Sequence, residues 1–288
     1  MIGVPPFFAD YQTQVDDELR RIVPAGSEDP VARSMAYTVL APSKRVRSTV
    51  TLLSAELCGG VTSRALPAAA AIELVHASSL ILDDLPAMDD APLRRGRQTN
   101  HLEFGEAIAI LAAFGLLNCA FGNLARAYDA ALAAKLSTVL ADAVGEQGLI
   151  GGQAADLQAT GQTIDFEVLE RIHRGKTGAL FVAAATAGAL TAEAPADART
   201  ALAAYAKNVG LAFQIIDDLL DVTGNPDDTG KALRKDARKT TFVSFSGVDG
   251  ARQLAGELSE TANRALAPFG RKADRLRELS SFVVRRVA

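Results

Sequence analysis

The sequence predicts an all-α protein, a single large helical bundle around a central cavity. Apolar residues recur at helical spacing along most of the chain, and no alternating strand pattern stands out. Breaks between the periodic segments fall at Gly and Pro. Ala is abundant and Trp absent, which suits closely packed helices better than a sheet sandwich. The chain has 288 residues, 49% of them hydrophobic, enough for a sizeable core. That length lies at the upper end for one core, about 250–300 residues. No repeat, low-complexity segment or linker divides the chain, so residues 1–288 read as one domain.

The periodicity places helices over 10–22, 30–41, 44–58, 65–84, 105–131, 133–160, 165–190, 195–223, 248–268 and 271–287. The amino-terminal stretch before and within the first helix has no basic start and no long apolar run, so no signal peptide is expected. In the fourth, the apolar run Leu66–Leu82 ends in acidic residues and is broken by Pro86. Ala107–Ala125 carries no charge and is long enough to mimic a membrane span, but it contains Asn118 and Asn123. It reads as a buried core helix, and no membrane span is expected. Thr223–Lys231 is the least helical stretch and reads as an exposed loop. The net charge of −4 disfavours nucleic acid as the main partner. Cys58 and Cys119, far apart in apolar surroundings, read as buried free thiols in a reducing cytoplasm.

The strongest chemical signal is Gln214, Asp217, Asp218 and Asp221, spaced i, i+3, i+4 and i+7 on one helix face among Phe213, Ile215, Ile216, Leu219 and Leu220. Like charges in apolar surroundings are costly unless a cation neutralises them. A hard divalent ion with oxygen ligands, typically Mg²⁺, meets that need. A solvated acidic stripe on a surface helix would show the same spacing. A second cluster, Asp83, Asp84, Asp89 and Asp90, closes the Leu66–Leu82 helix, and a break at Pro86 would let Asp89 fold back towards Asp83. Two acidic clusters facing across a cavity could hold metal ions that bridge a diphosphate.

An acidic protein that binds acidic substrates must concentrate positive charge locally. Arg94, Arg95 and Arg97 follow the first cluster directly, and Arg offers a bidentate fork to phosphate. Lys44, Arg45 and Arg47 are further candidates. His76 lies seven residues before Asp83, nearly on the same face; a lone histidine there could equally be a satisfied core residue. His173, Lys176 and Thr177 share a helix face, and Lys231 and Lys239 flank the second acidic helix.

These motifs resemble those of the trans-isoprenyl diphosphate synthases, the polyprenyl synthetase family. Asp83-Asp84-xxxx-Asp89 with Leu93-Arg94-Arg95-Gly96 looks like its first aspartate-rich motif, and Phe213-Gln214-xx-Asp217-Asp218-xx-Asp221 like its second. His173-xx-Lys176-Thr177-Gly178 and Gly148-xxx-Gly152-Gln153-xx-Asp156 are also family landmarks. The likeness runs from about Val31 to Ala251. His76–Ala91 carries the flavour of bacterial geranylgeranyl diphosphate synthases of carotenoid pathways. One loop departs from the pattern: the usual Gly-Gly-Lys-Arg-x-Arg-Pro appears as Pro42-Ser43-Lys44-Arg45-Val46-Arg47-Ser48.

The resemblance implies the isoprenoid synthase fold and a Mg²⁺-dependent prenyltransferase, with about three ions per active site once substrate is bound. Asp83, Asp84, Asp89, Asp217, Asp218 and Asp221 would be metal ligands. Arg94, Lys176, Thr177, Gln214 and Lys231 would contact the allylic diphosphate (dimethylallyl, geranyl or farnesyl). Lys44, Arg47, His76 and Arg95 would hold isopentenyl diphosphate. Ser78 and Ser79, about one turn before Asp83, would leave a product tunnel open beyond C15, giving C20. C15 or longer products are the alternatives. A homodimer is implied, which would help cover the apolar 107–125 helix. A class I terpene cyclase would keep only one such acidic cluster, a non-catalytic subunit of a heteromeric synthase would lose aspartates, and a helical scaffold would explain none of them.

Overall fold

The computed structural model of the chain describes residues 5–223 and 240–285. The helices in order are α1 (Pro6–Ile22), α2 (Pro30–Val39), α3 (Val46–Leu57), α4 (Thr62–Asp83), α5 (Asn100–Phe104), α6 (Glu106–Ala127), α7 (Ala130–Val144), α8 (Leu149–Ala159), α9 (Phe166–His173), α10 (Ala179–Thr191), α11 (Ala196–Thr223), α12 (Phe242–Ala265) and α13 (Asp274–Arg285). A 3₁₀ segment, Ala267–Ala273, leads into α13. The sequence predicts no strand, yet Leu93–Arg94 (β1) and Arg97–Gln98 (β2) form a small antiparallel hairpin. Arg95 and Gly96 turn it, both with positive φ, and strands this short carry no alternation to read.

Helix α10 is apolar all round and lies at the centre, packed on α3, α4, α7 and α11. Gly188 lets α10 approach α3 closely, because a Cβ there would collide with the Thr51 carbonyl. Two expected long helices are broken. The 133–160 helix stops at Val144 and restarts at Leu149, with Gly145 and Gly148 at the break. The 165–190 helix is interrupted by a π-turn, Arg174–Gly178.

Pro67 sits inside α4, where its ring disrupts the backbone ladder. Tyr128 repairs the break: its hydroxyl accepts from the Ala68 N–H (3.1 Å) and donates to the Arg64 carbonyl (2.7 Å). The neighbouring Pro67 carbonyl accepts from Asn123 (2.8 Å). The polar residues at the end of the uncharged helix thus satisfy α4 backbone.

Within one chain the 107–125 helix is only partly buried. Both α4 and α6 are long and apolar enough to cross a membrane, but two thirds of α4's apolar window is buried against 39% of α6's. Leu111 and Phe114 on α6 stand 52% and 65% exposed. Cys58 and Cys119 are free but only half-buried, and burial pushes both thiols up.

Candidate active site

The first acidic cluster is built by the end of α4. Pro86 cannot continue a helix and displaces the residue before it. The chain folds back as the sequence predicts: the Asp89 N–H donates to the Asp83 carbonyl at 3.0 Å and the Ala91 N–H to the Asp84 carbonyl at 3.2 Å. Asp84 is buried and held in a bidentate pair by Arg94, at 2.6 and 2.7 Å. Asp83 is half-buried and Asp89 exposed. Burial lifts the Asp83 carboxyl to about 6; Lys176 and Arg94 pull it down, and Asp89 and Asp84 push it further up.

The second cluster lies on the last two turns of α11. Asp218 is buried; one oxygen accepts from the Gln214 amide (2.9 Å) and the other from the Phe242 N–H at the start of α12 (3.0 Å). Gln214 in turn accepts from the Thr177 hydroxyl at 2.9 Å. Asp217 and Asp221 are half-buried. Asp84 and Asp218 are thus both held by the protein frame.

The basic residues come from three elements. Arg47 of α3 lies 3.3 Å from His76 Nε2 on α4 and stacks on Phe181 and Phe213, 4.7 and 5.7 Å from the ring centroids. Its buried Nε has no hydrogen-bond partner. Burial pulls the guanidinium down, and Glu73 and Asp217 support its charge. Burial, then Arg47, Arg95, Arg94 and Arg45, drive His76 well below its ordinary value, so it is neutral. Arg95 is lowered to about 10, first by burial, and reaches the Ala41 carbonyl at 3.4 Å. Lys44 lies over Phe282 at 5.7 Å. Arg45 is buried and bonded to Asp16 (2.8 Å) and the Val39 carbonyl (2.7 Å).

The π-turn changes the register of the remaining motif. The wider turn carries Lys176 further round from His173 than an α-helix would. His173 packs on Phe242, whereas Lys176 pairs with Asp156 of α8 at 2.7 Å and Thr177 meets Gln214. Gly152 permits this: a Cβ there would collide with the Lys176 backbone nitrogen. Sequence reasoning gave Asp156 no role and passed over Glu73, although Glu73 is the only charged residue between Arg64 and Asp83.

Ser78 and Ser79 separate. The buried Ser78 hydroxyl donates to the Ala113 carbonyl of α6 at 2.8 Å, whereas half-buried Ser79 lies on the stripe of His76 and Asp83. Further down, Ala68, Ala71, Leu136 and Ala187 line a void of about 10 Å³. Lys231 and Lys239 lie outside the described residues. Among the described residues, no three His, Cys, Asp or Glu side chains gather closely enough to cage an ion unaided. Mg²⁺ fits such a donor set, because it keeps its waters and binds through one or two carboxylates plus substrate phosphates. The upward push on Asp83 also marks a cluster that gains from a cation.

A family profile described as polyprenyl synthetase matches residues 28–265. The chain belongs to the polyprenyl synthetase family. This polyprenyl synthetase is 42% identical over 290 residues to a dimethylallyltranstransferase of Fischerella ambigua (strain UTEX 1903), covering 99% of this chain and 84% of the relative. It is 41% identical over 278 residues to a geranylgeranyl diphosphate synthase of Cyanophora paradoxa, covering 94% and 93%. Its structure matches that of a geranylgeranyl pyrophosphate synthetase from Pyrococcus horikoshii Ot3 with a TM-score of 0.87 and 30% identity, over 97% of each chain. The all-α isoprenoid synthase fold expected from the motifs is the fold observed.

Proposed function

We propose that this polyprenyl synthetase is a Mg²⁺-dependent prenyltransferase that joins isopentenyl diphosphate to allylic diphosphates, releases diphosphate and stops at geranylgeranyl diphosphate. One observation carries the reading: the acidic ends of α4 and α11 share a basic rim. Arg47 contacts His76 on α4 while feeling Asp217 on α11, and Lys176 feels Asp83. Asp83, Asp89, Asp217 and Asp221 would hold Mg²⁺, with Asp84 and Asp218 keeping them in place. The ions would supply the positive charge on which the allylic diphosphate leaves.

Lys176, Thr177, Gln214, Arg94 and Lys231 bind that diphosphate in this reading, and Lys44, Arg47, His76 and Arg95 bind isopentenyl diphosphate. The partnerless Arg47 Nε and the neutral His76 suit an arriving anion. Phe181 and Phe213 back the Arg47 guanidinium, and apolar surroundings would keep water from the allylic carbocation. The double bond of isopentenyl diphosphate attacks it, and the departing diphosphate takes the proton lost. From Ala68 to Ser79, α4 carries no aromatic side chain to stop a growing product. The exposed stripe Ile110, Leu111 and Phe114 is the face we assign to a homodimer.

The test is product analysis by mass after incubation with Mg²⁺, isopentenyl diphosphate and each C5, C10 or C15 allylic diphosphate. A C20 diphosphate is expected. Ser78→Tyr, filling the α4–α6 seam, is expected to shift it towards C15; an unchanged product would move the floor elsewhere. Light scattering showing a monomer at micromolar concentration would remove the dimer.

A further inference from the structure

Helix α3 begins without a cap of its own. Its N-cap residue, Arg45, is left-handed (φ 48°) and makes no capping bond, since its side chain is committed to Asp16 and the Val39 carbonyl. A helix start leaves its first N–H groups unpaired unless an acceptor is brought to them. The acceptor comes from another helix. Glu73 of α4, 2% exposed, takes the Ser48 N–H on Oε1 (3.2 Å) and Arg45 Nη1 on Oε2 (3.4 Å). One turn further along α4, His76 meets Arg47, the residue before Ser48. Glu73 also supports the charge of Arg47 and Arg95.

We propose that Glu73 is a positioning residue for the isopentenyl diphosphate subsite: it caps α3 from α4 and so sets Arg47 against His76 and Arg95. This rests on the subsite assigned above. It also accounts for the departure in the Pro42–Ser48 loop. A proline at position 48 has no N–H to give, whereas Ser48 bonds Glu73 through its N–H and returns its hydroxyl to the Arg45 carbonyl at 2.9 Å. Together with the Gln12 amide on the Ser43 carbonyl (2.6 Å), this bond holds a loop that lacks the usual glycines and proline.

The experiment is steady-state kinetics on Glu73→Gln and Ser48→Pro in the full-length protein, varying each substrate separately, with melting curves alongside. Glu73→Gln removes the charge and one acceptor, and Ser48→Pro removes the N–H donor together with the hydroxyl that bonds the Arg45 carbonyl. For Glu73→Gln, KM for isopentenyl diphosphate should rise about tenfold, the scale of a lost charge-assisted hydrogen bond. Ser48→Pro should raise it less, and both should leave kcat and KM for farnesyl diphosphate within about twofold. Equal rises in both KM values would reduce Glu73 to a structural ion pair, and an unchanged KM in folded Glu73→Gln would overturn the proposal. Ser48→Pro still tests the cap if Glu73→Gln fails to fold. A parent protein that forms no prenyl diphosphate would instead overturn the subsite reading itself.

Discussion

The two aspartate clusters solve one problem with different partners. In the first, the buried carboxylate, Asp84, is held by the Arg94 guanidinium; in the second, Asp218 is held by the Gln214 amide and the Phe242 N–H. The first hold is an ion pair between two oppositely charged side chains. Although burial pulls Arg94 down, the hydrogen bond and charge of Asp84 carry it above its ordinary value. In the second hold, one of the donors is the first N–H of α12. A carboxylate that starts a helix locks two elements together. A carboxylate matched by an arginine locks one loop and keeps the local charge near zero. In the proposed reading, the carboxylates that would meet substrate are distinct from Asp84 and Asp218, which the frame holds.

The largest effect tests the substrate-facing set. EDTA should abolish turnover and Mg²⁺ restore it. Asp83→Asn and Asp217→Asn should each lower kcat on the order of 10² or more, as for lost transition-state electrostatics, while leaving the melting temperature close to the parent's. Full activity in either variant would remove that cluster from the chemistry.

The frame-holding pair should separate in stability. Asp84→Ala strands Arg94, whose side chain is 21% exposed, and should cost about 3 kcal/mol in urea unfolding. The double variant Asp84→Leu, Arg94→Met should recover most of that, because an apolar pair desolvates no charge. Asp218→Ala should cost about 1–3 kcal/mol by leaving the Phe242 N–H without its acceptor. Equal losses with no recovery in the double variant would erase the distinction between the two holds.

What the sequence made legible follows from how local each cause is. The i, i+3, i+4, i+7 spacing of Gln214 to Asp221 needs only a helix, and Pro86 acts on its immediate neighbours, so both clusters could be read. The partition depends on contacts outside helical spacing, Arg94 for Asp84 and the distant Phe242 for Asp218, and no spacing rule covers either. The π-turn at Arg174–Gly178 was invisible because periodicity assumes a constant turn. Gly145 and Gly148 did carry a visible signal for the break between α7 and α8. Exposure on α6 is hidden for another reason: an apolar face looks alike whether it meets its own chain or a second one.

A smaller effect concerns the α4 backbone. Tyr128→Phe deletes one oxygen, yet it strands both the Ala68 N–H and the Arg64 carbonyl beside Pro67. The cost should be about 1–2 kcal/mol in unfolding free energy, with kcat unchanged, because the repair lies at the opposite end of α4 from Asp83. A drop in kcat at unchanged stability would contradict that separation.

The smallest effect is a pH slope from His76, which borders the first cluster without belonging to it. His76 is half-buried, and desolvation, then Arg47 and Arg45 from the α3 side and Arg94 and Arg95 from the hairpin, hold its folded value well below its ordinary 6.5. The unfolded chain therefore binds a proton at His76 that the folded chain refuses. Stability from this group is complete above about pH 6.5 and is lost as the pH falls below it, by at most about 1.4 kcal/mol per pH unit. His76→Gln cannot titrate, so its unfolding free energy should fall less steeply on acidification than the parent's. Subtracting the two curves cancels every group that titrates alike in both proteins, including Asp83, whose raised carboxyl acts with the opposite sign. Inorganic diphosphate, placed among the arginines that now exclude the proton, should flatten the difference between parent and variant. Parallel curves without diphosphate would mean that His76 is protonated in the folded protein, and that the arginines around it are too well screened to matter.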